Sequence, residues 1–319
     1  MSTGTSPSCA PTASAVGEVA VPLRSALRER VADYIELTRP RIALMALLTV
    51  SVGFSLGASQ AWNVVPLLHA LVGIALAAVS SSVLNQFLER STDALMPRTA
   101  DRPLPTERLT AREAFVFGAL SGAGSGVYLL VFVNALTAVL AFATVLLYVG
   151  VYTPLKRRTS LCTVIGAVAG AMPPVLGWTA AGGPLDSRAL ALFSILFLWQ
   201  FPHFLAIAWL YRRDYARGGL RMLPGSGSQP RVTGLIAVVY ALALIPAALL
   251  PSELAAAESL AGSRYTAAAL LLGLGYLAFA VRFARRESVR TARDLLWASL
   301  VYLPLLLLAL MYDHFRLIG

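Results

Sequence analysis

One stretch of the chain joins an apolar membrane span to a row of polar side chains. Residues 64–93 read VVPLLHALVGIALAAVSSSVLNQFLERSTD, in which the apolar run 64–84 is followed by Asn85, Glu89 and Asp93. Helical residues four apart differ by about 40° around the axis, so these three side chains share one face. An amide and two carboxylates suit Mg²⁺, which completes its shell with water and substrate phosphates. The row is therefore a candidate metal site, the simpler alternative being a solvated helix end.

The composition around this stretch is that of a membrane protein. The 319 residues are 57% hydrophobic and 13% charged, with a mean hydropathy of +0.71, whereas soluble domains carry about 25% charged residues. Nine segments approach the roughly 20 apolar residues that a helix needs to cross the hydrocarbon. They are 41–59, 64–84, 113–130, 134–153, 161–181, 189–210, 232–250, 265–281 and 294–312. The sequence predicts an all-α polytopic protein with about nine spans, eight being the main alternative.

The net charge of +10 follows the alternation of these spans and does not indicate a nucleic-acid partner. With nine spans, all Lys and Arg residues except Arg188, Arg264 and Arg316 fall on one side of the membrane. Loops rich in Lys and Arg stay in the cytoplasm. The pattern predicts a multi-pass protein in the lipid of a bacterial inner membrane, with its N-terminus in the cytoplasm and its C-terminus outside.

The chain before the first span has two parts. Residues 1–22 are rich in Ser, Thr, Ala, Pro and Gly and contain no Lys or Arg, which predicts a disordered cytoplasmic tail and not a targeting peptide. A helical apolar repeat from Leu27 to Ile35 then predicts a short helix over 24–37 that lies on the membrane interface. Residues 23–319 are expected to form a single transmembrane domain.

Three loops carry further charges that can join the polar row. Their charged residues are Arg98 and Arg102 after span two, Lys156 and Arg157 after span four, and Asp214 and Arg217 after span six. Lys binds phosphate as a point charge and Arg as a fork, although cations after a span are also ordinary membrane anchors. Loops after even-numbered spans reach the same face of the membrane. The sequence therefore predicts that acids and cations gather there.

A second candidate lies inside span six. The segment reads Trp199-Gln-Phe-Pro-His203-Phe, and an ionisable residue within a span is by default a functional candidate. The alternative is that His203 is a hydrogen-bonded packing residue. Gln200, three residues earlier, is expected to share its face.

Other features of the spans predict how the helices pack. Span three carries Gly118, Gly122, Gly124 and Gly126, which are expected to permit close helix contact. The pair Pro173-Pro174 is expected to break or kink span five inside the membrane. Spans seven to nine are expected to hold no intramembrane charge and to act as scaffold, with His314 incidental in the tail.

The combination of acids, cations and a long apolar interior predicts the class of substrate. A metal that bridges acids to phosphate stabilises a leaving diphosphate. A polar rim above an apolar cavity suits a molecule with a diphosphate head and a long apolar tail, such as a prenyl diphosphate. Loss of diphosphate leaves an allylic carbocation, which needs a dry pocket and a nearby nucleophile.

The row Asn85, Glu89 and Asp93, the Tyr152–Lys156 stretch and the Asp214 segment resemble the UbiA-type intramembrane prenyltransferases. Over about residues 30–312, three longer motifs more narrowly resemble the protoheme IX farnesyltransferase branch of that family (heme O synthases). The motifs are Asn85-Gln-Phe-Leu-Glu-Arg-x-x-Asp93-Ala-Leu-Met-Pro-Arg-Thr, Trp199-Gln-Phe-Pro-His-Phe and Asp214-Tyr-Ala-Arg-Gly-Gly-x-x-Met-Leu-Pro224. The resemblance implies helices around a central cavity and a Mg²⁺ cofactor. It implies metal ligation by Asn85, Glu89, Asp93 and Asp214, and diphosphate binding by Lys156 and Arg157. The second acidic motif departs from the wider family, because Arg212 and Arg213 precede a single acid.

The resemblance also implies a reaction. Farnesyl diphosphate would ionise, the carbocation would meet a vinyl group of heme B, and water would add to give heme O. His203 would contact the heme, and Arg98, Arg102 or Arg217 would pair with its propionates or with diphosphate. Heme A synthase is an implied partner. The alternatives are prenylation of an aromatic quinone precursor and, from another class, a secondary transporter, which should show matched broken helices near the midplane.

Overall fold

The computed structural model describes residues 23–58, 63–221, 231–254 and 259–318, and within these ranges the chain is helical with no strand. The predicted tail 1–22 lies outside them. The elements are α1 Leu23–Thr38, α2 Pro40–Gly57, α3 Val64–Asp93, α4 Ala111–Phe132, α5 Ala135–Leu146, a π-helical turn Leu147–Tyr152, α6 Thr153–Leu155, α7 Cys162–Ala180, α8 Ser187–Leu210, α9 Arg212–Arg217, α10 Val232–Glu253, α11 Ser263–Arg285 and α12 Val289–Ile318.

Nine segments of the described chain are long and apolar enough to cross a membrane, which confirms the prediction from hydropathy. Eight of them are single helices, and the fourth combines α5, the π-helical turn and α6 over Ala135–Leu155. Consecutive spans run in opposite directions. The C-terminal ends of α3 and α8 therefore lie on the same side as Lys156.

The last span differs most from its prediction, because α12 continues past residue 312 to Ile318. Asp313 is fully buried there and accepts hydrogen bonds from the backbone N–H of Gly262 at 2.8 Å and of Tyr265 at 3.1 Å. His314 is also buried and contacts the carbonyl of Leu260 at 2.9 Å. Asp313, which follows the predicted span nine, and His314 thus connect α12 to the segment Leu260–Tyr265 at the start of α11. His314, expected to be incidental, has a structural contact that the sequence did not predict.

The interfacial helix is present as α1. Leu27, Val31 and Ile35 are exposed along one side, as expected for a helix that lies against lipid. On the opposite side, Leu37 is buried and Arg108 forms an ion pair with Asp33, which ties α1 to the loop after α3.

Helices α2 and α7 approach to backbone contact. A Cβ atom at Gly53 would lie 1.9 Å from the carbonyl oxygen of Pro174, and one at Gly177 would lie 2.0 Å from that of Val50. Only glycine fits at so close an approach. Helix α7 continues through Pro173 and Pro174 without a break, so the prolines do not interrupt the span.

The four glycines of α4 do not behave alike. A Cβ at Gly118 or Gly122 would meet the side chains of Leu84 or Ser80 on α3 at 2.8 and 2.7 Å. Gly124 and Gly126 have no such neighbour within 4 Å in the described ranges. The prediction of close packing holds for the first two glycines and is wrong for the last two.

Candidate active site

The polar row lies at the C-terminal end of α3 and is buried. Asn85, Glu89 and Asp93 are 0%, 9% and 2% exposed. Their spacing of four residues puts them on one side of the helix. Burial of two carboxylates and an amide is costly unless each is paired or hydrogen-bonded. The partners of Asn85 and Glu89 lie 68 and 67 residues further along the chain, and that of Asp93 lies nine residues further.

The side-chain amide of Asn85 is held in one orientation. Its Nδ2 donates to Thr153 Oγ1 at 3.0 Å, and that hydroxyl in turn donates to the carbonyl oxygen of Tyr148 at 2.9 Å. A hydroxyl has one hydrogen, so the Thr153 oxygen acts here as acceptor and the amide cannot flip without losing the bond. Asn85 Oδ1 is left buried without a hydrogen-bond partner among the described residues. An acceptor in that position needs a donor or a cation.

The π-helical turn Leu147–Tyr152 precedes this threonine. Single π turns inside helices are frequent at functional sites. The rings of Tyr148 and Tyr152 are 5.0 Å apart, and Gly166 leaves room for them, since a Cβ there would lie 2.6 Å from the Tyr152 ring. Sequence reasoning missed Thr153, although Thr153-Pro154 at the end of a span is a visible signal.

Lys156 pairs with Glu89. Its Nζ lies 2.8 Å from Glu89 Oε1 and 4.4 Å from the centre of the Tyr152 ring. Burial disfavours the ammonium charge, but the neighbouring Tyr152 hydroxyl and Glu89 carboxylate outweigh burial and raise the pKa of Lys156 above its usual value. The lysine is therefore charged in the resting site.

Arg102 pairs with Asp93, with Nη1 2.7 Å from Asp93 Oδ2. The loop folds back because Thr99 Oγ1 donates to the Asp93 carbonyl at 2.8 Å. Burial, together with the nearby charge of Arg39, lowers the pKa of Arg102. Sequence reasoning missed Arg39 as a site residue; it lies between α1 and α2 with φ 50° and ψ 61°, an uncommon backbone conformation for arginine.

The other loops contact the same end of α3. Arg157 donates to Thr92 Oγ1 and to Ser91 Oγ, the latter at 3.3 Å. The guanidinium of Arg98 lies 4.5 Å from the centre of the Tyr211 ring and 5.7 Å from that of Tyr215, so this loop also covers the end of α8. Cations outnumber acids here, which favours an anionic ligand.

The third loop, which follows α8, contacts this region through Gly218 and not through a charged side chain. A Cβ at Gly218 would lie 3.0 Å from Met96 Sδ, so α9 lies against the loop after α3. Within the described ranges, however, no three Asp, Glu, His or Cys side chains meet closely enough to hold one metal ion. Asp214 therefore does not form a single three-acid cluster with Glu89 and Asp93, and neither Asp214 nor the exposed Arg217 forms an ion pair in the part of the chain described.

His203 belongs to a separate polar group. Its Nδ1 lies 2.7 Å from Ser299 Oγ on α12, and its ring stacks on Trp199 at 5.0 Å. Gln200 instead donates to the carbonyl of Ala167 on α7 at 2.8 Å. The two side chains that were expected to share a face therefore contact different helices.

The row has the ligands that one Mg²⁺ ion prefers. Asn85 Oδ1 has no partner, and the hydrogen bonds found in the described ranges use only one oxygen of each carboxylate, Glu89 Oε1 and Asp93 Oδ2. Mg²⁺ is commonly bound through one or two carboxylates together with substrate phosphates. The residues present therefore fit this ion at the end of α3.

A cavity of about 630 Å³ lies at the other end of the helices. It is bounded by the C-terminal end of α2, the segment after α7, the start of α8 and the end of α12, with Trp178, Arg188 and His314 in its wall. Arg188 is already paired with Asp186 at 2.6 Å. This cavity is remote from the polar row and shares no residue with it.

Comparison with known proteins gives the context of this geometry. Residues 46–314 match the UbiA prenyltransferase family. The protoheme IX farnesyltransferase of Solibacter usitatus is 43% identical over 291 residues, which cover 88% of this chain and 98% of that protein. The protein of the same name from Sorangium cellulosum is 46% identical over 243 residues, which cover 76% and 85%.

Solved structures share the fold. A digeranylgeranylglyceryl phosphate synthase structure superposes with a TM-score of 0.75 at 16% identity, over 90% of this chain and 99% of that one. A UbiA homologue from Archaeoglobus fulgidus, bound to DMAPP and Mg²⁺, superposes with a TM-score of 0.60 at 17% identity, over the same shares of the two chains.

Proposed function

The chain belongs to the UbiA prenyltransferase family, and on that basis we propose that it transfers a farnesyl group from farnesyl diphosphate to a vinyl group of heme B, with addition of water, to give heme O. Relatives that are 43% and 46% identical carry the name protoheme IX farnesyltransferase. The observation that carries the proposal is the buried row Asn85, Glu89 and Asp93, paired with cations from two loops.

The ion pairs Lys156–Glu89 and Arg102–Asp93 belong to the site without substrate. Substrate binding replaces both. When substrate binds, Lys156 and Arg102 would turn from Glu89 and Asp93 to the diphosphate, and Glu89, Asp93 and Asn85 Oδ1 would be the residues that hold Mg²⁺. The metal, when bound, supplies positive charge that stabilises the departing diphosphate. The exchange keeps every buried charge compensated, which lowers its cost.

The neighbouring cations supply the remaining charge for the diphosphate. Arg39 and Arg98 act on Arg102 electrostatically, and Arg157 is anchored at Thr92 beside the row. Charged donors that are already held in place stabilise developing negative charge without reorganisation. Arg217, exposed at the end of α9, reaches the heme propionates or the diphosphate from the aqueous side.

The reaction breaks the bond between C1 of the farnesyl group and the diphosphate oxygen, and both bonding electrons leave with the diphosphate. The vinyl group of heme B then attacks C1 and forms a carbon–carbon bond. The new cation beside the porphyrin takes up water and loses one proton. The Tyr152 ring lies next to the Lys156 ammonium, and the Tyr148 ring is tilted against it at 39°. Aromatic faces of this kind stabilise a nearby cation.

His203 is the proposed contact to heme. It lies seven residues before the end of α8, or about 10 Å along the axis, and Asn85 lies about 12 Å before the end of α3. The two residues are thus at similar depths from the same face. Asp214 would act at the rim of the site, where it would hold solvent or a second metal ion together with the diphosphate.

The protein is a multi-pass membrane protein. Its proposed orientation puts the N-terminus and the polar row in the cytoplasm and the C-terminus outside, because the cationic loops lie on the side of the row. A heme A synthase is the proposed recipient of the product.

The test is production of heme O in bacteria that lack both their own heme O synthase and heme A synthase. Mass spectrometry of extracted heme should detect a species heavier than heme B by a farnesyl group plus water. Asp93→Ala and Asn85→Ala should abolish it while membrane insertion survives. Unchanged heme B with well-inserted protein would reject the proposal, and a prenylated quinone precursor would support the alternative acceptor.

A further inference from the structure

We propose that Ser299 is a positioning residue that fixes the tautomer of His203 and so leaves its Nε2 free to bind the iron of the heme substrate. The inference rests on the proposed function for the identity of the ligand. The assignment of the His203 tautomer rests on hydrogen bonds alone.

The hydrogen of Ser299 is already used. Ser299 Oγ lies 2.6 Å from the carbonyl oxygen of Leu296. A carbonyl oxygen can only accept, so the hydroxyl must donate to it, and a serine hydroxyl has one hydrogen. The contact of 2.7 Å between Ser299 Oγ and His203 Nδ1 therefore needs its hydrogen from the histidine.

This bond determines the state of the imidazole. A neutral imidazole carries one N–H, so a hydrogen on Nδ1 leaves Nε2 with a free lone pair. No hydrogen bond to Nε2 occurs among the residues that the structure describes, and the His203 side chain is only half-buried. A histidine whose other nitrogen is held by a hydrogen bond has the arrangement usual for a metal ligand.

Three helices hold the pair rigid. Trp199 Nε1 donates to the backbone carbonyl of Ser299 at 2.9 Å, and the Trp199 ring stacks on His203 with an interplanar angle of 25°. Tyr276 on α11 donates to the carbonyl of Trp199 at 3.2 Å. The bond from Trp199 goes to backbone, so it survives replacement of the Ser299 side chain.

The tautomer can be measured directly, because the chain contains only three histidines. Nitrogen NMR of ¹⁵N-histidine-labelled protein in micelles, with His203→Gln to assign the signal, should show a protonated Nδ1 and an unprotonated Nε2. Ser299→Ala should move part of the population to the other tautomer, and Ser299→Thr, which keeps the hydroxyl, should restore the wild-type spectrum.

Ser80→Ala is the matched control. Ser80 is equally buried, but its hydroxyl has no hydrogen-bond partner in the part of the chain that the structure describes, so its loss should leave the His203 signals unchanged. A protonated Nε2 in the wild-type protein, or an unchanged spectrum in Ser299→Ala, would overturn the tautomer assignment.

Titration with heme B tests the ligand. We expect a change in the heme absorption spectrum that depends on His203, and a loss of affinity between ~10- and 100-fold in Ser299→Ala, as is typical when the hydrogen-bond partner of a metal ligand is removed. A spectrum identical in wild type and His203→Gln would overturn iron ligation. Heme binding with the expected tautomer but without heme O formation would instead reject the proposed function.

Discussion

Lys156 Nζ lies 2.8 Å from Glu89 Oε1, a contact that spans 67 residues of sequence between two nearly inaccessible side chains. Pairing the charges compensates for the loss of hydration, yet an apolar pair of similar volume is often equally stable. The pair is therefore explained better by what its members bind during turnover than by its contribution to folding.

The Lys156–Glu89 pair predicts that the effects of mutating its two members on stability are strongly coupled. Lys156→Met or Glu89→Gln alone should lower the free energy of unfolding by ~3–5 kcal/mol, because either change leaves one buried group without its partner. The double variant should lose clearly less than the sum, although all three should lack activity. Unfolding in mixed detergent micelles measures the cycle, and additive losses would contradict the pairing.

An exposed pair provides the comparison. Arg30 contacts Glu113 on α4 with half of its side chain in solvent. Arg30→Gln should therefore change stability by less than about 1 kcal/mol and leave heme O formation intact.

Thr153 should control the metal requirement through Asn85. Thr153→Val removes the acceptor that orients the Asn85 amide, so the Mg²⁺ concentration for half-maximal activity should rise ~10- to 100-fold. Activity should return at high Mg²⁺, unlike in Asn85→Ala, which lacks the ligand itself. An unchanged Mg²⁺ dependence in Thr153→Val would show that the amide needs no such support.

The glycines of α2, α7 and α4 offer matched alanine variants. Gly53→Ala and Gly177→Ala force a methyl group against backbone carbonyls and should destabilise the protein by at least ~1–3 kcal/mol. Gly124→Ala and Gly126→Ala face open space and should stabilise their helix by up to ~1 kcal/mol. Thermal unfolding in one detergent measures the stability of all four variants. Equal effects on stability in the two pairs would contradict the close approach of α2 and α7.

The carboxyl of Asp186, on the face opposite the polar row, predicts that the stability of the protein depends on pH. Slight burial acts to raise the pKa of this carboxyl. The Arg188 side chain and the backbone N–H of Ala189 outweigh burial and lower the pKa below its usual value. A lowered folded pKa adds stability above the unfolded value of about 3.9, and this stability is lost as pH falls through the folded pKa.

Asp186→Asn isolates that charge, because asparagine caps helices as well as aspartate. The variant should be less stable than wild type at about pH 6, and the difference should vanish well below pH 4. A difference that grows on acidification would have the wrong sign.

The sequence predicts much of this architecture because a bilayer demands long apolar helices. It fails where a contact depends on residues far apart in the chain. The burial of Asp313 depends on the start of α11, and no local pattern distinguishes Gly118 from Gly124.

For the site, the sequence likewise predicts which residues share a helix face and which loops meet, but not the individual contacts. Helical spacing puts Asn85, Glu89 and Asp93 on one face, and the alternation of spans brings their loops together. Which cation meets which acid is decided by tertiary packing, as are the roles of Thr153 and Ser299. Ser299 is an ordinary span residue until the helix opposite it is known.

The length of α3 has a consequence for how the products leave. Its 30 residues extend about 45 Å, against a hydrocarbon thickness of about 30 Å, so the end that carries Asp93 reaches the aqueous phase. We expect diphosphate to diffuse away in water and the farnesylated porphyrin to dissolve in the bilayer. Because the two products then seldom meet again, partition between phases makes the transfer effectively one-way without a moving gate.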